Sequence, residues 1–324
     1  MVATPSSSAV GKAPYGPRRR ELMVALGLSL AAGSELLPSF ASPAAAQTPA
    51  RIVAVGGTVT EVIYALGLQD RLVGVDTTSQ YPAEALKEKK SVGYVRQLSA
   101  EGVLSLNPTL VIVVDGAGPP DAVSLLNESG VKIARIPEDP SPDGVVTRIE
   151  AIGAVVGAVE PARRLAQQAR ARFDEVVALR DKLTAKKRVL FVLSLQNGRT
   201  LVGGRNTTAD AIVTLAGGQN VAEGIEGYKP MSDEAIIAAA PEVVVMMNHS
   251  SSHSSPADEL FGLPSFSQTP AAKEKRLVRM DGLYLLGFGP RAPLAARDLM
   301  AQLYPEAGIP QLAAAPATTP APAP

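Results

Sequence analysis

The sequence predicts an α/β protein of two lobes, each built on a parallel sheet, joined by a long helical connector. Three observations predict it. Short apolar strands alternate with amphipathic helices over residues 51–140 and again over 188–308, the order that builds parallel sheets with helices on both faces. Between them, residues 141–187 keep helical periodicity nearly throughout. Finally, "LSAEGVLSLNPTLVIVV" (98–114) echoes "MSDEAIIAAAPEVVVMM" (231–247). Each has a serine, a glutamate two residues on, an apolar helix, a proline and a buried strand.

Taken in order, the chain opens on a leader. Arg18, Arg19 and Arg20 precede the apolar "LMVALGLSLAAG" (22–33), and Ala44, Ala45 and Ala46 offer a small-residue cleavage site, which is the order of an export signal over 1–46. "RRRELM" loosely resembles a twin-arginine signal, with Leu22 where phenylalanine is usual. The apolar stretch is too short to span a bilayer, so the mature protein is expected to be soluble and outside the cytoplasm.

"RIVAVGG" (51–57) reads as a strand, and "TVTEVIYALGL" (58–68) as a helix with Val59, Val62, Ile63 and Leu66 on one face, Thr58 or Thr60 as cap and Gly67 as stop. "RLVGVD" (71–76) is a strand, "SAEGVLSLNP" (99–108) a helix closed by Pro108, and "TLVIVVDG" (109–116) a buried strand. "DAVSLLNESG" (121–130) is a helix and "VKIARIP" (131–137) a strand. In the connector, Val145, Ile149, Ile152, Val155 and Val156 form one apolar face. Pro161 suits the first turn of a second helix. Beyond it come the strand "RVLFVLSL" (188–195), the helix "TTADAIVTLAGG" (207–218), the helix "SDEAIIAAAP" (232–241), the strand "EVVVMM" (242–247), the strand "KRLVRMDG" (275–282) and a last helix in "GPRAPLAARDLMAQLYP" (289–305). Residues 309–324 end in an Ala/Pro/Thr run and are expected to be disordered.

Composition narrows the function. The 324 residues are 46% hydrophobic with zero formal net charge, against a nucleic-acid binder, which needs a basic surplus. The absence of cysteine excludes disulfides, thiolate metal sites and cysteine nucleophiles. "AVGGTVTEV" (54–62) follows a strand but lacks the G-x-G-x-x-G spacing of a dinucleotide site. No Ser/His/Asp or paired-carboxylate arrangement stands out, so an enzyme is not expected. Aromatics are only 4%, which makes "SVGYVRQLSAEG" (91–102) conspicuous for placing Tyr94 two residues from Arg96. If that segment is extended, the two side chains project to one side. The only histidines, His249 and His253, fall in "NHSSSHSS" (248–255). Their four-residue spacing makes a metal pair only on a helix, and the serines favour a loop.

The chain from 51 to 305 resembles the periplasmic haem-binding proteins that feed ABC importers. More broadly it resembles the class III substrate-binding proteins for haem, siderophores and cobalamin, with two Rossmann-like lobes. The stretches that carry the resemblance are "GGTVTEVIYALGLQDRLVGVD", "SVGYVRQLSAEGVLSLNP", "GYKPMSDEAIIAAAPEVVV" and "MDGLYLLGFGPR". It implies periplasmic capture of ferric haem (haem b) as transported ligand, with Tyr94 on the iron. Tyrosine is a known haem ligand type, and Arg96 would hold the phenolate or a propionate. Arg205 and Lys229 are candidate propionate partners and Tyr228 a residue against the porphyrin; the run that holds His249 and His253 is outside the resemblance, and either is a candidate second axial ligand on residue type alone. Glu101 and Glu234 match by position the glutamates that dock on the ABC permease, through which its ATPase is engaged. An outer-membrane haem receptor would stand upstream. A ferric siderophore or cobalamin as cargo, and a haem-modifying enzyme, are the alternatives.

Overall fold

Strands whose residues are apolar without alternation must be covered on both faces, and those strands form the centre of each sheet here. The computed structural model describes residues 50–196, 199–248 and 257–312. The expected leader and the His249/His253 loop lie outside them. In the first lobe the order is β1 (Ile52–Val55), α1 (Gly57–Ala65), β2 (Leu72–Val75), α2 (Glu84–Glu88), β3 (Lys90–Ser91), the paired β4 (Gly93–Tyr94) and β5 (Gln97–Leu98), α3 (Ala100–Leu104), β6 (Leu110–Val114), α4 (Pro120–Glu128) and β7 (Lys132–Ile136). The sheet order is β3-β2-β1-β6-β7, parallel throughout. β1 and β6 pair at its centre and are wholly buried.

The connector is two helices, α5 (Pro142–Val155) and α6 (Val159–Arg180). Ser141 caps α5 by accepting from the Gly144 amide at 2.9 Å, and Gly157, at φ 73°, turns the chain into α6. Pro161 falls in the first turn of α6, two residues after its start. The two helices pack tightly enough that a Cβ on Gly153 would lie 2.1 Å from that of Ala162.

The second lobe runs β8 (Arg188–Gln196), β9 (Arg199–Gly203), α7 (Thr208–Leu215), β10 (Gln219–Asn220), β11 (Tyr228–Met231), α8 (Asp233–Ala239), β12 (Val243–Asn248), the short α9 (Ala257–Phe261), α10 (Pro264–Ser267) and α11 (Pro270–Lys273), then β13 (Leu277–Asp281), α12 (Gly282–Leu286) and α13 (Ala292–Leu303). Its main path is β11-β9-β8-β12-β13. β12 is parallel to β8 and β13, whereas β9 is antiparallel to β8 and β11 to β9. This sheet is therefore mixed rather than purely parallel. Only two residues separate β8 from β9, and a parallel crossover needs a dozen or more. Pro230 is tolerated because β11 is an edge strand.

All described residues fall within one compact unit running from Thr48 onward, and one hydrophobic cluster joins Ile52 and Ile112, Ile149 and Phe173, and Phe191 and Leu299. Ile309 and Leu312 pack on this cluster, so the first residues of the expected tail are ordered against the core. No helix among the described residues is long and apolar enough to cross a membrane.

Candidate functional site

Parallel strands end on the same side of a sheet, and the loops that follow them gather there. In this chain those loops, from both lobes, enclose a cavity of about 380 Å³. The first lobe supplies Gly56, Gly57 and Thr58 after β1, Thr78 after β2, the Tyr94–Val95–Arg96 turn, Asp115 and Gly116 after β6, and Glu138 after β7. α5 adds Arg148. The second lobe supplies Asn206, Thr207 and Thr208 at the start of α7, Tyr228, and a floor of Leu283, Leu286, Gly287 and Phe288.

The first wall is held by Asp76. Fully buried, it accepts hydrogen bonds from the amides of Gly56 (2.9 Å) and Thr78 (3.0 Å) and from the hydroxyls of Thr78 (2.7 Å) and Ser79 (3.1 Å). Gly56 sits at φ 117°, and a Cβ there would lie 2.7 Å from Val114. Only glycine fits both constraints. The expected threonine cap of α1 is not made. Gly56 occupies the cap position, and Thr58 lies inside the helix, buried at the cavity.

The Tyr94 segment is extended only as far as Tyr94 itself. Gly93 pairs with Leu98 and Tyr94 with Gln97, so Val95 and Arg96 form the turn of a tight hairpin. The hairpin is fixed from outside: Thr77 donates to the Gly93 carbonyl (2.9 Å), Gly118 to that of Val95 (2.9 Å), and Leu98 to that of Gly118 (2.8 Å). Tyr94 remains 44% exposed on this anchored base, so its ring is placed but not covered. Arg96 reaches the same cavity from the turn, so the condition of an extended segment is not met and the two side chains still meet one space.

Tyr228 faces the cavity from the opposite lobe. Its hydroxyl lies 2.9 Å from that of Thr208 and its ring meets Phe191 edge-on at 6.4 Å. Lys229 follows it on β11 and pairs in register with Val202. Adjacent strand residues point to opposite faces, so Lys229 leaves the cavity as Tyr228 enters it. Arg205 bridges to Glu226 through its backbone and stays exposed, also outside the lining. The structure thus brings Tyr94, Arg96 and Tyr228 together and leaves Arg205 and Lys229 apart.

The sequence reading missed Arg148, Asp115 and Glu138. Arg148 is 2% exposed. It donates from Nη1 to the carbonyls of Phe288 (2.7 Å) and Gly287 (3.3 Å), and from Nε to that of Pro137 (3.3 Å), tying α5 to the cavity floor. Burial lowers its affinity for its proton, opposed by Glu138, Asp139 and Asp115. Desolvation at the cavity wall raises the Glu138 carboxyl, opposed by Arg148. The signals were present. Arg148 lies three residues after Val145 and four before Ile152, on the connector's apolar face, Asp115 directly follows β6, and Glu138 lies two residues beyond the end of β7.

Beside the floor, Glu61 of α1 meets Arg291. Glu61 Oε2 lies 3.0 Å from Nη2, and Oε1 accepts from the Arg291 amide at 3.2 Å. The guanidinium stacks 3.5 Å from the Tyr81 ring centroid. Burial raises the Glu61 carboxyl against the pull of Arg291. Both lobes are therefore pinned at the cavity floor as well as through the connector.

Glu101 and Glu234 each stand in the first turn of an exposed short helix, α3 and α8, capped by Ser99 and Ser232. Hydrogen bonds from its own amide and from Ser232 hold Glu234 below the usual carboxylate value.

A profile of the periplasmic binding protein family matches residues 52–283. The chain belongs to that family. The binding protein is 38% identical to the periplasmic heme-binding protein RhuT from Roseiflexus sp. RS-1 in apo form. That likeness covers 80% of this chain and all of RhuT, with a TM-score of 0.77. It is 36% identical to the periplasmic heme-binding protein BhuT in complex with two hemes, over 80% of this chain and 99% of that one, with a TM-score of 0.75. It is also 28% identical over 217 residues to the Vitamin B12-binding protein of Vibrio campbellii (strain ATCC BAA-1116), covering 66% of the binding protein and 77% of that relative. Its two-lobed α/β architecture is that of the class III members. The family and these neighbours are substrate-binding proteins of transport systems.

Proposed function

We propose that this protein captures ferric haem in the interlobe cavity, in the periplasm, and delivers it to an ABC permease and its ATPase. The observation that carries the reading is the pair of phenols, Tyr94 and Tyr228, brought from opposite lobes to one cavity, with Tyr94 uncovered on an anchored hairpin. A hard ferric centre takes an anionic oxygen donor readily, and Tyr94 offers one. Arg96, beside it, holds the resulting phenolate or a propionate by charge-assisted hydrogen bonds. With Arg205 and Lys229 outside the lining, propionate binding falls to Arg96. Tyr228 lies against the porphyrin. The likeness to RhuT and BhuT supports haem over the cobalamin suggested by the Vibrio relative. A cobalamin brings its own cobalt ligands and makes no use of a phenolate.

Glu101 and Glu234, one per lobe, dock on basic pockets of the permease, and an outer-membrane haem receptor supplies the cargo. The test of the cargo is competitive. The purified protein is titrated with haemin, cobalamin and a ferric siderophore, and bound ligand is read by absorbance after dialysis. Retention of haemin alone is the expected result; retention of cobalamin with no haemin overturns the reading.

A further inference from the structure

Charge is distributed unevenly around the cavity. Four charged side chains line it, Arg96, Asp115, Glu138 and Arg148, and all come from the first lobe or α5. The wall from the second lobe is neutral and the floor apolar. Arg148 is committed to three backbone carbonyls, so Arg96 alone is available to an incoming anion. Asp115 and Glu138 face the same space, and neither carboxylate makes a hydrogen bond or ion pair among the described residues.

We propose that Asp115 and Glu138 act as specificity-determining residues. They restrict the cleft to a planar chelate of low net charge, with its few carboxylates on one edge, and exclude polyanionic ferric chelates of the catecholate or citrate kind. The inference rests on the haem reading and deepens it. Ferric haem carries one net negative charge. Its carboxylate edge needs one cation, which Arg96 supplies, and its apolar edge suits Leu283, Leu286 and Phe288. A ferric tricatecholate carries three negative charges over its whole surface. It would set some of them against two carboxylates in a partly desolvated cleft, where like charges repel more strongly than in water. Glu138 keeps solvent contact, but the surrounding protein already disfavours its charge, so a further anion beside it is costly.

The experiment compares haemin, haemin dimethyl ester and a ferric tricatecholate on wild type, Glu138→Asp and the double variant Asp115→Asn/Glu138→Gln. Both acids are exposed, so the variants are expected to fold. The double variant should bind haemin about tenfold more tightly, the effect of relieving roughly one like-charge contact in the cleft. It should bind the diester, which is cationic, no more tightly than wild type does, and gain measurable affinity for the tricatecholate that wild type rejects. Glu138→Asp, which keeps the charge, should hold the wild-type ratio of haemin to diester. If the double variant matches wild type on haemin, or gains equally on the diester, this inference falls while the haem reading stands. If wild type takes the tricatecholate and no haemin, both fall together.

Discussion

At the scale of a single residue, the proposed reading rests its chemistry on Tyr94, and the neighbours of that phenol set the terms. Replacing it with alanine removes the proposed donor to iron, so haemin affinity should fall further than in any other single cavity variant. Arg96→Ala should cost about tenfold, in line with the loss of one charge-assisted hydrogen bond. Equilibrium titration of both variants checks this order, and an Arg96→Ala loss larger than that of Tyr94→Ala would reverse the assignment. Tyr94 was legible because a phenol beside a guanidinium is rare in a chain so poor in aromatics. Arg148 and Glu138 were not read. One interrupts an apolar face that draws attention to its valines and isoleucines, and the other sits in a proline-rich loop with no motif. Lys229 was misplaced for a definite reason: with β11 unrecognised, nothing showed that strand alternation sends it away from Tyr228.

At the scale of the element, the cavity depends on two constructions. One is the start of α1, where Gly56 holds φ 117° against Val114. Gly56→Ala should destabilise the fold by about 1–3 kcal/mol, the cost of a residue held in unfavourable backbone space, and lower the melting temperature by several degrees. A melt unchanged within a degree would mean the turn relaxes. The other is the tie from α5 to the floor. Arg148→Ala leaves the carbonyls of Gly287 and Phe288 without their donor and should destabilise by about 2–4 kcal/mol. Urea denaturation measures it, and a loss below about 0.5 kcal/mol would show that water replaces the guanidinium. The central strands and long helices were legible from their periodicity. The β4–β5 hairpin and the β9–β11 edge were not, because two-residue strands carry no pattern and the β9 and β11 runs, RTLVG and YKPM, lack an unbroken apolar core, while their pairing is set by turn length and by contacts to Gly118 and β8.

At the scale of the whole molecule, the two lobes are held at a set separation by α5 and α6 and by the Glu61–Arg291 pair. Glu61→Ala strands a largely buried guanidinium. It should cost about 2–3 kcal/mol, below the full penalty for a wholly buried pair because Arg291 keeps some solvent contact. Each lobe presents one carboxylate of the proposed docking pair, Glu101 on α3 and Glu234 on α8. Reversing both charges should leave haemin binding intact and block uptake in cells that depend on this carrier, since such surface charges steer docking more than they hold cargo. Normal uptake by the double reversal would remove the docking role. The internal echo made these glutamates visible in the sequence, whereas the Glu61–Arg291 pairing spans 230 residues and left no local trace. The most direct test of the central claim is the electronic spectrum of ferric haem bound to wild type and to Tyr94→Phe, which keeps the ring and deletes only the oxygen. A high-spin ferric spectrum with a phenolate-to-iron charge-transfer band in wild type, lost in Tyr94→Phe, is the predicted result; the same spectrum in both proteins would contradict it.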